Sequence, residues 1–192
     1  MFLFSEPTES RIRSILASQR AEEFSYTEVG ATRGKLPAGY AFLQGRIELG
    51  RGAAIFDRAT QLLRRWKMFD VPGIRLYWPD TPIRPGETVA VVMRHFGLWS
   101  VNCCKIVYLI DEDGPTRRFG FAYGTLPEHS EKGEERFTVE WHRMSDLVSY
   151  EILSFSRSGK AAVKLAYPVA RWLQRRFLRD SLTTLVNGVR TE

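Results

Sequence analysis

Cysteine is nearly missing from this chain of 192 residues: there are two, Cys103 and Cys104, and they are neighbours in an apolar, strand-like run. Adjacent strand residues point to opposite faces, so neither an ordinary disulfide nor a shared metal fits them. They are expected as small buried hydrophobes. No apolar run approaches the ~20 residues needed to cross a bilayer. Met1 to Phe4 is apolar, but it is far too short for the core of a signal peptide and lacks a basic start, so a cytoplasmic setting is expected. Strands do not alternate with helices, which disfavours a parallel Rossmann or barrel fold. Gly50-Arg51-Gly52 lacks the further glycine and the Lys-Ser/Thr of a phosphate loop. Neither internal repeats nor low-complexity segments occur, no Ser/His/Asp or Cys/His triad can be assembled, and no cofactor is implied.

What is present is ordinary globular composition, 44% apolar and 26% charged, at a length expected for a single domain spanning 1–192. The net charge of +6 is concentrated at the end: Lys160 to Glu192 holds seven basic and two acidic residues. Such a cluster marks an anionic partner or, more simply, the solvated side of a helix.

Residues 1–39 read as a short amphipathic helix and an irregular arm. Pro7-Thr8 gives the start signal, and Ile12, Ile15, Leu16 and Gln19 share a stripe. From 40 to 49 apolar and polar residues alternate as in a half-buried strand. Ala53 to Trp66 then follows with helical spacing of Ile55, Ala59, Leu62, Leu63 and Trp66. From Ile74 the period switches to two, giving six strands: 74–78, 88–96, 101–110, 117–126, 135–142 and 147–155, joined by short turns as an antiparallel meander. Ala161 to Val189 forms a long closing helix, with a kink expected at Pro168. The order predicts an α+β helix-grip fold: a curved antiparallel sheet of about seven strands wrapped on the last helix, with an extra N-terminal helix. Body residues are 40–192, and the wedge between sheet and helix is a natural ligand cavity.

Several motifs are distinctive: Phe119-Gly120-Phe121-Ala122-Tyr123-Gly124-Thr125-Leu126-Pro127-Glu128-His129, then Gly133-Glu134-Glu135 and Phe137-Thr138-Val139, then Phe155-Ser156-Arg157. With Tyr26 to Thr32 and the helix ending at Trp66, they resemble a bacterial and plant family catalogued as a domain of unknown function. The resemblance spans essentially the whole chain and departs at Ser158, where the family usually has proline. It implies no activity. The order of elements also resembles the lipid-transfer and birch-pollen-allergen superfamily. That likeness implies a sterol-, lipid-, hormone- or polyketide-type ligand, and fold by itself does not settle function.

The candidate site residues follow from this frame. Gly120, Ala122 and Gly124 strip one strand face, either as a cavity wall or for close packing. Between Pro127 and Gly133 an exposed hairpin loop is expected, with His129 and Glu135 its most chemically interesting neighbours. Tyr123, His129, Glu135 and Arg157 are the candidates for catalysis on a carbonyl or lactone-type substrate. Arg157 is expected to pair with Glu134 or Glu135. His95, in phase with Val89, Val91 and Met93, is expected as a satisfied core residue or a cavity group. Tyr77, His95, Trp99, Phe121, Tyr123 and Trp141 are the candidate ligand contacts. Arg171, Arg175 and Arg179, spaced by four, form a ridge that is a solubilising face or a contact with anionic membrane; nucleic acid is not expected, because no stacking aromatics accompany them. Trp172 and Phe177 are expected to point into the sheet. The leading function is binding of an apolar or amphipathic small molecule; the alternatives are the enzyme just described and a partner-binding protein with a filled core.

Overall fold

Thr8 stands in extended backbone and its hydroxyl caps Arg11 N, which starts helix α1 at Glu9–Gln19. The computed structural model describes residues 1–95, 97–158 and 167–191. Phe2–Leu3 is a two-residue strand, β1, paired with Trp99 and Ser100. Ile12, Ile15 and Gln19 of α1 are buried as the stripe predicted.

The strands that follow are β2 (Ala41–Arg51), β3 (Ile74–Tyr77), β4 (Thr88–His95), β5 (Leu98–Glu112), β6 (Thr116–Thr125), β7 (Glu131–His142) and β8 (Leu147–Ser158). They form one antiparallel sheet in the order β2-β8-β7-β6-β5-β4-β3, with β1 added beside β5. Strands β2 and β3 are neighbours in sequence and lie at opposite edges. The chain crosses between them through α2 (Ala53–Arg64) and a 3-10 turn at Lys67–Phe69. This crossing lays α2 over the concave face, where Phe56, Ala59, Leu62 and Leu63 are buried.

Trp66 stands between α2 and the 3-10 turn with φ 57, rare for a residue with a side chain. Its indole is buried, donates from Nε1 to Thr81 O at 2.8 Å and meets the Phe121 ring edge-on at 4.8 Å. Those contacts are what hold the backbone in that conformation.

The last helix, α3 (Tyr167–Thr191), lies on the same face, burying Phe177, Ser181, Leu185, Val186 and Val189. Gly45 of β2 permits its approach, since a Cβ there would come within 2.9 Å of Leu182 Cδ1 and 3.0 Å of Leu178 Cδ1. The expected stretch from Ala161 to Ala166 lies outside the described residues. Pro168 is the second residue of α3, so the kink expected around it also falls on that boundary. Trp172 corrects the expectation: it is 51% exposed, because its position on α3 faces away from the sheet that receives Phe177.

Curved antiparallel sheet and closing helix together make the helix-grip architecture. Its convex face is covered by α1, against Ala90, Val92, Val101 and Cys103, and by the arm around Tyr26 and Tyr40, against Phe155. Both cysteines are buried and free. Among the described residues no helix is long and apolar enough to cross a membrane.

Candidate functional site

Four neighbouring strands change character at one level of the concave face. On β5, inward residues run from Ile106 and Cys104 to Asn102 and Ser100. On β6 they run from Phe119 and Phe121 to Tyr123 and Thr125. On β7 Val139 and Phe137 give way to Glu135, and on β8 Tyr150 and Ile152 give way to Ser154 and Ser156. The register aligns these changes: Tyr123 pairs with Glu135, and Glu135 with Ser154. The apolar ends fill a core with α2 and the Trp66 turn. The polar ends are the floor of a cavity of about 510 Å³ between the sheet and the first half of α3. That is ample for a small organic molecule. Phe69, Val71, Ile74, Val91, Leu173 and Phe177 supply apolar wall, and the exposed Phe2, Leu98 and Val169 also line it.

The floor is built from hydrogen bonds. Tyr123 Oη donates to Glu135 Oε2 at 2.7 Å. Burial pushes the pKa of Glu135 up to about 7; the Tyr123 hydrogen bond acts against this and Glu131 adds to it. Burial also carries the Tyr123 phenol well above its ordinary range. His129 Nδ1 accepts from Glu131 N at 3.0 Å, and burial pushes its pKa down to about 3, so the ring is neutral at ordinary pH. Asn102 Nδ2 donates to Ser100 Oγ at 2.9 Å, while its Oδ1 accepts from Ser130 Oγ at 3.1 Å. On the helix side Gln174 Nε2 donates to Ser156 Oγ at 3.0 Å and to Glu131 Oε2, and Gln174 Oε1 accepts from Arg171 at 2.8 Å. Glu131 is itself raised by burial.

Of the candidate catalytic residues, Tyr123, His129 and Glu135 meet at this one cavity. Arg157 does not. It is exposed, stacks its guanidinium 4.6 Å from the Tyr40 ring centroid, and pairs with neither glutamate, because alternation puts it on the arm side of β8's end. The turn also differs from an exposed loop. β7 already begins at Glu131, and Glu134 is 3% exposed on the convex side. There it accepts from Tyr26 Oη at 2.8 Å, Gly30 N at 2.6 Å, Thr32 N at 3.1 Å and Thr32 Oγ1, so it pins the N-terminal arm.

The candidate ligand contacts divide in the same way. His95 and Tyr123 line the cavity, and His95 Nδ1 is buried without a hydrogen-bond partner among the described residues; burial lowers its pKa. A satisfied core histidine is therefore not what is found. Tyr77 and Trp99 pack on the convex side with α1. Phe121 sits in the filled core against Trp66, and Trp141 lies at its far end beside Phe56. The small-residue face of β6 is not a cavity wall. A Cβ on Gly120 would strike the backbone of Phe137, and one on Gly124 would strike Tyr26 and Phe24 of the arm.

Ser100, Asn102, Ser154, Ser156 and Gln174 escaped the sequence analysis. The signal for most of them was there, since in-phase residues on β5 and β8 turn from apolar to polar. Among the described residues no group of three or more His, Cys, Asp or Glu side chains is placed to hold a metal ion.

Comparison with known proteins adds the lineage. The chain is 36% identical to a UPF0548 protein of Dictyostelium discoideum, covering 98% of this chain and 96% of that one. It is 34% identical to a UPF0548 protein of Deinococcus radiodurans, covering 98% of each. Among solved structures, Ara h 8.0201 aligns with TM-score 0.48 at 13% identity, covering 80% of this chain and all of that one. Human STARD10 aligns with TM-score 0.47 at 9% identity, covering 95% and 81%. The family model described as Domain of unknown function (DUF1990) matches residues 25–184, and the chain belongs to that family.

Proposed function

We propose that this protein binds an apolar or amphipathic small molecule in the cavity between the sheet and α3. One observation carries the reading: about 510 Å³ of space, with walls such as Phe69, Val91, Leu173 and Phe177 and a floor of aligned polar side chains, in a fold whose other half is packed solid. A core that merely needed to be filled has no use for Asn102, Glu135 and Ser154 at one level; desolvating such groups is costly unless something else repays it. The cavity counts against a partner-binding protein with a filled core. Two buried, unpaired cysteines agree with a cytoplasmic setting.

Native mass spectrometry of protein purified from its own host, followed by extraction of any retained compound, tests this. Retention of a small molecule that is lost in Ala170→Trp, which fills the cavity from α3, is the expected result. Protein that is empty as purified and takes up no apolar probe would overturn it.

A second reading, acid–base chemistry on a bound carbonyl or lactone-type substrate, is supported by the Tyr123–Glu135 pair. A carboxyl that titrates near 7 is suited to accept and return a proton at neutral pH. Turnover abolished in Glu135→Gln, with binding retained, is its signature. The basic ridge fits a solubilising face. Arg171 is engaged with Gln174 and with Phe42 O at 2.9 Å, and Arg179 lies 3.4 Å from Asp180.

A further inference from the structure

Among the described residues, the cavity holds two carboxyls with which no lysine or arginine forms an ion pair. Glu131 and Glu135 project into it from the same strand, two alternations apart. Among the described residues neither forms an ion pair with a lysine or arginine. Glu131 is bound by the neutral amide of Gln174, and Glu135 by the neutral phenol of Tyr123, which occupies Oε2. The other group that acts on Glu135 is Glu131, and Glu135 in turn raises the neutral Cys104 on β5 and Tyr150 on β8. From α3 the cavity receives Phe177, Gln174 and the Arg176–Asp180 pair. The two arginines that reach the cavity are engaged elsewhere. Arg94 stacks 5.8 Å from the Trp99 ring, and Arg176 bonds Asp180 at 3.4 Å and stacks on Trp172. His129 is held neutral by burial and by the Met1 ammonium, which bonds Val101 O and Glu128 O, and burial pushes His95 the same way.

Arg171, bonded to Gln174, reaches Glu131 only through space, and Glu135 has no cation acting on it among the described residues, so two acids facing one apolar space favour a ligand that supplies the missing positive charge. In low-permittivity surroundings an opposite charge is strongly attracted and a like charge is repelled. We propose that the cavity selects amphipathic molecules carrying a protonated amine, seated against Glu135 and Glu131 with the apolar body along the Phe69–Phe177 wall. The inference rests on the small-molecule reading and narrows it to a ligand class. Tyr123 acts as a positioning residue, holding one carboxylate oxygen and leaving Oε1 for the ligand.

Decylamine, decanol and decanoate share a chain and differ only in the head group, so calorimetric titration of all three isolates charge. At about pH 8, where Glu135 is ionised, decylamine is expected to bind about tenfold tighter than decanol, and decanoate more weakly than decanol. Glu135→Gln is expected to bring decylamine to within about twofold of decanol, both titrated on that variant. Decanol binding as tightly as decylamine, or an unchanged preference in Glu135→Gln, overturns the inference and leaves the binding reading intact. Failure of all three to bind overturns both. Should Glu135→Gln not fold, the wild type decides: the amine preference is expected to shrink between about pH 8 and about pH 6, as Glu135 takes a proton, while decanol stays flat. A preference that does not move over that range overturns the inference.

Discussion

The two ends of the concave face are made by the same strands and do opposite things. At one end Phe119, Phe121, Phe137, Val139 and Ile152 close on α2 and Trp66, each at most 1% exposed. At the other, two residues further along each strand, Tyr123, Glu135 and Ser154 face empty space. The difference shows where stability is made and where it is given up. The filled end gains transfer free energy and dispersion contacts at every position. The open end holds a carboxyl in apolar surroundings with one phenol for company, a loss that only a bound molecule would recover.

Substitutions in the two ends should therefore differ in size and even in sign. The largest effect belongs to Phe137→Ala, which empties the centre of the filled end. It should cost about 3–5 kcal/mol in urea unfolding, whereas Ser154→Ala on the cavity floor should stay within about 0.5 kcal/mol. Equal costs would mean that the cavity end is as tightly packed as the other. Next comes a contrast between adjacent glutamates. Glu134 accepts four hydrogen bonds from the arm, so Glu134→Gln should lose about 2–3 kcal/mol.

Glu135→Gln should instead stabilise the empty protein at about pH 8. Its folded pKa, about 7, lies above the unfolded carboxylate value, so the folded state holds the proton more tightly. That contribution is complete below the unfolded value and is lost as pH rises to about 7. The wild type should thus fall relative to Glu135→Gln by about 2 kcal/mol between about pH 5 and about pH 8, read from paired urea midpoints. Parallel pH profiles would mean that Glu135 is not confined in the way its burial implies. The smallest effect is that of Trp172→Ala on the outer side of α3, within about 0.5 kcal/mol. A larger loss would show that this ring does pack inward, toward the sheet.

Much of the fold was legible because periodicity reports it directly. The period-two runs from Ile74 to Phe155 are the six strands of the meander; of the helical stripe, Ala59, Leu62 and Leu63 are buried on α2 with Phe56, Ile55 is half-buried, and Trp66 is buried just past the helix end. Tyr123, His129 and Glu135 stood out by chemistry and by their place in the family motif, and the structure brings them to one cavity. Arg157 looked equally suitable, but a two-residue alternation assigns faces only once the strand's extent is known. β8 runs on to Ser158 and places that guanidinium over Tyr40. The turn after β6 was misread for a related reason: with β7 taken to begin at Glu135, residues 127–133 looked exposed, whereas β7 begins at Glu131. Tyr77, Trp99 and Trp141 were chosen for size, and aromatic size does not distinguish a core from a cavity.

The sequence by itself determined the element order, the antiparallel meander, the closing helix and the family, because each is written in local periodicity or in contiguous motif. It also determined which residues on each strand share a face. Tertiary structure alone decided which shared face is concave and which belongs to the arm. It also decided that polar residues on four strands fall at one level, and that this level opens into a cavity. Those facts depend on register between strands and on how deeply α2 and α3 descend onto the sheet. Both are set by packing between residues more than fifty positions apart, such as Leu178 and Leu182 over Gly45 and Trp66 over Phe121, and no local pattern encodes a contact at that distance.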